Sequence, residues 1–165
     1  MASTALGGNP ATLVGDLPAV GSPAPGYDLV GADFAQVTRT PGAGARTVLN
    51  IFPSVDTGVC AASVRRFNEL AAGLPDTVVV CVSQDLPFAL ARFCGAEGID
   101  DVVAASSFRS TFPTDYGVLL TSSAFEGLLA RAVVVVDGTG TVVHTELVPE
   151  IGQEPDYDAA VAALA

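Results

Sequence analysis

The chain has 165 residues and not one lysine; all seven of its basic side chains are arginine. Chemistry that needs a lysine amine, Schiff-base formation above all, is excluded. Histidine is almost as scarce. The single one, His144, sits in Thr141-Val142-Val143-His144-Thr145, a strand-like run with nothing to place it beside a nucleophile. A hydrolase in which a histidine base activates cysteine is therefore disfavoured. Positive charge is rare overall: 18 acidic residues against 7 basic leave a formal charge of -11. Such a surface repels phosphate backbones and anionic lipid alike, so nucleic acid and membrane are poor partners. Long apolar runs are missing too, although half the residues are hydrophobic. Stretches such as Val78 to Val82 and Ala132 to Val136 fall far short of the roughly 18 residues a membrane span requires. No arginine precedes Arg39, so the amino terminus does not read as a secretory signal. A soluble, cytoplasmic protein is expected.

Also absent are a glycine-rich phosphate loop, a His-x-x-x-His pair and an EF-hand pattern. Cysteine is present but sparse and odd in number: Cys60, Cys81 and Cys94. Their spacings match neither a Cys-x-x-Cys redox pair nor a zinc cage. In a reducing compartment a disulfide among them is more often transient than structural.

What is there is a reactive context for one sulfur. Pro53-Ser54-Val55-Asp56-Thr57-Gly58-Val59-Cys60 leaves an apolar strand, turns, and brings Cys60 into the first turn of an amphipathic helix. Unpaired backbone N-H groups and the positive end of the helix dipole favour a thiolate there. Thr57, three residues earlier, can point its hydroxyl at the same sulfur, and Pro53 fixes the strand exit and shields the sulfur from water. Cys81, inside Val78-Val79-Val80-Cys81-Val82, reads as a small buried hydrophobe. Cys94 ends an amphipathic helix between Phe93 and Gly95. It reads either as core packing or as a second sulfur on a helix whose glycines let it open. Arg131 stands at the mouth of the apolar run Ala132 to Val136, where a permanent cation is costly without an anion. Two readings stay open: a guanidinium snorkelling to the exposed strand end, or one paired with the Cys60 thiolate across adjacent strands. Arg65, Arg66 and Arg92 read as surface cations, and Asp56 as a turn residue.

The periodicity alternates strands and helices. Thr4 to Leu6 and Thr12 to Val14, around Gly7-Gly8-Asn9-Pro10, predict an amino-terminal hairpin. A proline-rich connector from Pro18 to Pro25 follows. Then come a strand pair, Tyr27 to Val30 and Ala35 to Thr38, and a surface loop at Gly42-Ala43-Gly44-Ala45. Arg46 to Phe52 and Thr77 to Ser83 read as central strands bracketing the Cys60 helix, in which Cys60, Val64, Phe67, Ala71 and Leu74 recur at helical spacing. Pro87 opens a second helix through Cys94, stopped near Gly95 and Gly98. Asp101 to Ala105 reads as a short edge strand. Ala132 to Val136 turns through Asp137-Gly138-Thr139-Gly140 into Thr141 to Leu147, and Glu154-Pro155-Asp156-Tyr157 starts a terminal helix. Together these predict an α/β fold, a three-layer thioredoxin-like sandwich with a central mixed sheet and helices on both faces. The hairpin extension is expected to occupy residues 1–17 and the domain proper 18–165.

Two long segments resemble one family. Asn50-Ile51-Phe52-Pro53-Ser54-Val55-Asp56-Thr57-Gly58-Val59-Cys60-Ala61-Ala62-Ser63-Val64-Arg65 is similar to the active-site signature of the thiol peroxidases, the atypical two-cysteine branch of the peroxiredoxins. Ser83-x-Asp85-Leu86-Pro87-Phe88-Ala89-x-x-Arg92-Phe93-Cys94-Gly95-Ala96-Glu97-Gly98 resembles its second-cysteine segment. Ala130 to Val135 and Glu154 to Tyr157 are similar as well, whereas Thr121 to Glu126 departs from a family that often carries Asp-Gly-Pro there. The resemblance implies that Cys60 is the peroxidatic cysteine and Cys94 the resolving one, joined transiently in an intrachain disulfide. It implies Thr57 and Arg131 as partners of thiolate and peroxide, with Pro53 closing the pocket. Hydrogen peroxide and alkyl hydroperoxides as substrates, thioredoxin as reductant, a homodimer and a role in antioxidant defence follow from the same likeness. No metal, haem or flavin is required. A redox relay or peroxide sensor that passes oxidation to a client protein is the alternative use of the same sulfurs.

Overall fold

The structure, a computed structural model, describes residues 3–39 and 44–165. Gly42 and Ala43 of the expected surface loop lie outside the described residues. Among those described, no helix is long and apolar enough to cross a membrane.

Three strands at the centre carry the architecture: β5 (Arg46–Ile51), β6 (Thr77–Ser83) and β8 (Ala132–Val136), numbered in chain order. β5 pairs parallel with β6 and antiparallel with β8, in registers running from Arg46↔Thr77 to Ile51↔Val82 and from Thr47↔Val136 to Ile51↔Ala132. Parallel pairing needs a crossover, and helix α1 (Gly58–Ala71) supplies it. The strands are almost continuously apolar because both faces are covered, and their alternation separates two cores. Val48, Val79, Cys81, Val133 and Val135 pack against Val64 and Phe67 of α1, Leu90 and Phe93 of α2 (Pro87–Glu97) and Ala160 of α4 (Tyr157–Ala162). Leu49, Ile51, Val80, Val82, Val134 and Val136 face the other way, onto Leu129 and the stacked rings of Phe112 and Tyr116. Every residue of β8 is wholly buried, and each such valine contributes about 1.5–3 kcal/mol.

The full sheet runs β4-β3-β7-β6-β5-β8-β9, with β3 (Tyr27–Gly31), β4 (Gln36–Arg39), β7 (Val103–Ser106) and β9 (Val142–Leu147) completing it. This is the mixed sheet of the predicted thioredoxin-like sandwich, with one difference in the layers. Three helices cover one face, whereas the opposite face is closed by α3 (Phe112–Asp115) and connecting segments. A single helical turn is too short to leave a 3.6-residue pattern, and the sequence did not reveal it.

The strand read at Asp101 to Ala105 is a correction. It runs from Val103 to Ser106 and lies inside the sheet, parallel to β6 and antiparallel to β3. The β3–β4 hairpin folds back onto it and takes the edge. That pairing links segments some 75 positions apart, as in Val30↔Ser106, and leaves no local trace.

The amino-terminal hairpin forms its own two-stranded sheet, β1 (Ser3–Leu6) with β2 (Asn9–Thr12). Its second strand begins earlier than predicted, because Gly7 and Gly8, with φ of 60° and 82°, complete the reversal alone. Hydrogen bonds dock the hairpin onto the segment after β9. Thr4 Oγ1 donates to the Val148 carbonyl at 2.7 Å, the Ile151 N-H to the Ala5 carbonyl at 2.8 Å, and the Gly8 N-H to Glu150 Oε1 at 2.9 Å.

Candidate active site

Strand β5 ends at Ile51, Phe52 and Pro53 continue into the turn, and α1 begins at Gly58. Thr57 is its N-cap, in extended conformation, and its hydroxyl oxygen accepts the Cys60 backbone N-H at 3.3 Å. The same hydroxyl donates to the Ser54 carbonyl, also at 3.3 Å. Thr57 thus acts on the backbone beneath the sulfur, its hydroxyl making these two bonds. The helix is held inward by Val64 and Phe67, and Ser63 Oγ donates to the Cys60 carbonyl at 2.8 Å. Cys60 itself is fully buried.

Arg131 settles between its two readings. It is 2% exposed, so it does not snorkel. Nη2 donates to Cys60 Sγ at 3.0 Å and Nε to the Ile151 carbonyl at 2.7 Å, while Nη1 is buried without a partner among the described residues. The register explains the meeting: Arg131 immediately precedes Ala132, which pairs with Ile51, and the chain beyond Ile51 is the turn that delivers Cys60. No carboxylate among the described residues forms an ion pair with this guanidinium. A buried cation without an anion costs several kcal/mol, and a charge on the Cys60 sulfur is the compensation within reach. A cavity of about 220 Å³ opens beside Arg131 and the start of α1, lined by Leu6, Pro53, Thr57, Val59, Phe125 and Arg131. Pro53 is buried in its wall. Phe125 comes from the segment that departs from the family pattern, and Leu6 from the hairpin. Neither, nor the Ile151 carbonyl that orients Arg131, carries a local signal in the sequence.

Cys94 lies apart. It occupies the last turn of α2, is half-buried, and borders a different groove with Ala32, Ile99 and Val102. Burial raises its thiol above the ordinary cysteine value. Gly98, left-handed at φ 66°, caps α2, and the N-H groups of Gly98 and Ile99 both reach back to the Cys94 carbonyl. All three cysteines are free thiols. Arg65, Arg66 and Arg92 are surface groups, as predicted. Arg92 meets Asp56 at 3.0 Å, Arg65 meets Glu97 at 3.3 Å and Arg66 meets Glu69 at 3.1 Å, all largely exposed and worth at most about 1 kcal/mol each. His144 pairs in register with Val135 as a strand residue of β9.

Cys81 is the inert thiol the apolar run predicted. Desolvation pushes it up to about 12, against a weaker opposing effect of the Asn50 amide 3.7 Å from the sulfur. An unfolded cysteine ionises near 8.5, so the folded state keeps a proton that the unfolded state loses in alkali. The stability this confers is complete below about pH 8.5 and declines as pH rises toward 12. Cys81→Ala is expected to be less stable than the parent at pH 7.5, with the gap narrowing by about 2 kcal/mol by pH 10. Urea unfolding at both pH values measures it, and a constant gap would show that this thiol ionises normally.

Fold and site together define a thioredoxin-like protein with a buried cysteine, at a helix N-terminus, facing a buried arginine. The sequence model of the Redoxin family matches residues 19–161, and the chain belongs to that family. It is 56% identical to the thiol peroxidase of Corynebacterium glutamicum over 164 residues, covering 99% of each chain. The thiol peroxidase of Mycobacterium tuberculosis strain H37Rv is likewise 56% identical, with 99% of each covered. Among solved structures, the peroxiredoxin-like protein from Aquifex aeolicus superposes with a TM-score of 0.94 at 41% identity, over 98% of this chain and 95% of that one. The thiol peroxidase from Chromobacterium violaceum shares the fold, with a TM-score of 0.89 at 22% identity over 98% of this chain and 94% of that one.

Proposed function

We propose that the chain is a thiol-dependent peroxidase that reduces hydrogen peroxide and alkyl hydroperoxides through Cys60. The observation that carries the reading is the buried Arg131 guanidinium, 3.0 Å from the Cys60 sulfur and without a carboxylate partner among the described residues. The Cys60 thiolate attacks the terminal oxygen of the hydroperoxide. The O-O bond breaks, a sulfenic acid forms on Cys60, and the leaving oxygen takes a proton to depart as alcohol or water. Negative charge builds on that oxygen, and the unpartnered Nη1 of Arg131 is the donor at hand to stabilise it. Thr57 holds the helix start that presents the sulfur, and Pro53 walls the cavity against water.

Cys94 then displaces hydroxide from the sulfenic acid, which leaves as water, and an intrachain Cys60–Cys94 disulfide closes. Disulfide bonding requires Cα atoms within about 7 Å, so the last turn of α2 opens to bring Cys94 across. A thioredoxin-type dithiol restores both thiols by exchange, becoming a disulfide itself. Residues 1–17 serve as a hairpin extension on a domain spanning 18–165, and a homodimer in the cytoplasm, active in antioxidant defence, completes the proposal.

The test is mass spectrometry of the intact protein after one equivalent of peroxide, followed by peptide mapping. Loss of two hydrogens and a peptide joining Cys60 to Cys94 is the expected result. A bond to Cys81, or none, overturns the pairing. Sustained turnover with thioredoxin alone distinguishes a peroxidase from a relay that needs a client.

A further inference from the structure

The turn that delivers Cys60 is gripped from outside itself. Asp85, between β6 and α2, accepts Ser54 Oγ at Oδ1 (2.7 Å), and at Oδ2 both the Val55 backbone N-H (2.9 Å) and Ser83 Oγ (2.7 Å). Ser54 Oγ accepts the Asp56 N-H at 3.1 Å, and Ser83 Oγ accepts the Asp85 N-H at 3.2 Å. One carboxylate therefore joins the end of β6 to the turn after β5, across about 30 positions of sequence. Bonds of this kind to a charged acceptor are roughly twice as strong as neutral ones. Asp85 also directly precedes Leu86, the N-cap of α2, so it stands at the root of the helix that bears Cys94.

We propose that Asp85 is a positioning residue for the Cys60 turn, an inference that rests on the peroxidase reading above. By fixing Ser54 and Val55 it sets where Thr57 caps α1, and so where the Cys60 sulfur lies relative to the Arg131 guanidinium. A displacement on the order of 1 Å at a reacting atom can cost about 100-fold in rate. Its place also gives α2 a direction of opening. The root of the helix is tied to the Cys60 turn by the carboxylate, whereas the Cys94 end is restrained by the buried Phe93, the Gly98 cap and two exposed ion pairs, Arg65–Glu97 and Arg92–Asp56. Cys94 is released while Cys60 stays in place.

Asp85→Asn tests this in a Cys94→Ser background, where oxidation of Cys60 is isolated from disulfide formation. The amide keeps the size of the side chain but sets an NH2 where one of the donors needs an acceptor. The second-order rate constant for oxidation of Cys60 by hydrogen peroxide is expected to fall about 10- to 100-fold. The rising limb of that rate against pH should move to higher pH, a change that loss of stability alone does not produce. Ser54→Ala, which removes one of the three bonds and retains the carboxylate, should slow the same step about 3- to 10-fold, and it decides the matter if Asp85→Asn does not fold. A Cys94→Ser parent that does not react with peroxide overturns the peroxidase reading itself. A parent that reacts, with both further variants within threefold of it and an unmoved pH profile, overturns only the role of Asp85.

Discussion

Cys94→Ser protein is expected to consume one equivalent of peroxide per chain and then stall with thioredoxin as the reductant, whereas Cys60→Ser consumes none. The difference follows from where the two sulfurs sit. Cys60 is wholly buried at the start of α1 with a guanidinium on its sulfur, and Cys94 is half-buried at the end of α2 beside another groove. Only the first has donors that stabilise negative charge on sulfur, while burial holds the second in its thiol form near neutral pH. Without Cys94, the sulfenic acid on Cys60 has no partner within the chain. Cys81 cannot substitute, because it lies on β6 inside the core with its thiol raised to about 12. Further peroxide should then drive Cys60 to the sulfinic acid, one oxygen heavier by mass spectrometry. Stoichiometry of peroxide loss and the mass of the product measure both outcomes. Continued turnover of Cys60→Ser would remove Cys60 from the chemistry, and continued turnover of Cys94→Ser would remove Cys94 from the recycling step.

The second large effect is expected at Arg131. Arg131→Met keeps an unbranched stem in the buried site and deletes every donor, so oxidation of Cys60 should slow about 100-fold or more, in line with the loss of a preorganised donor elsewhere in catalysis. Two effects combine. The thiolate loses its countercharge at 3.0 Å, and the departing oxygen loses the Nη1 donor. Arg131→Lys should recover only part of the rate. A single ammonium cannot reproduce the fork by which Nε holds the Ile151 carbonyl while Nη2 holds the sulfur. Stopped-flow oxidation in the Cys94→Ser background gives the rate constant directly, and an unchanged value in Arg131→Met would exclude the guanidinium from the mechanism. The Ile151 carbonyl is held in turn by the hairpin, through the Ile151 N-H bond to Ala5.

Much of this was readable from the chain because it depends on neighbours a few positions apart. Thr57 three residues before Cys60 is a capping relationship, and the valine-rich runs of β6 and β8 could be nothing but covered strands. Pro87 at the start and Gly98 at the end of α2 bound that helix by their own backbone preferences. The interior position of β7 was not readable, since it depends on where the β3–β4 hairpin docks. Nor was the single-turn helix α3, or the pair of contacts that the Thr57 hydroxyl actually makes.

The order of residues alone determined which sulfur stands at a helix start, which one is locked in a strand, and which lies in the last turn of a glycine-capped helix, because capping, propensity and apolar period act over one or two turns. Only the tertiary structure decided that Arg131 is buried against Cys60 rather than extended into water. It also decided that the Ile151 carbonyl orients Arg131, and that Asp85 grips the turn before α1. Those contacts join segments 20 to 71 positions apart. They come into being when β5 pairs with β6 and β8 in the registers that bury both faces of the sheet.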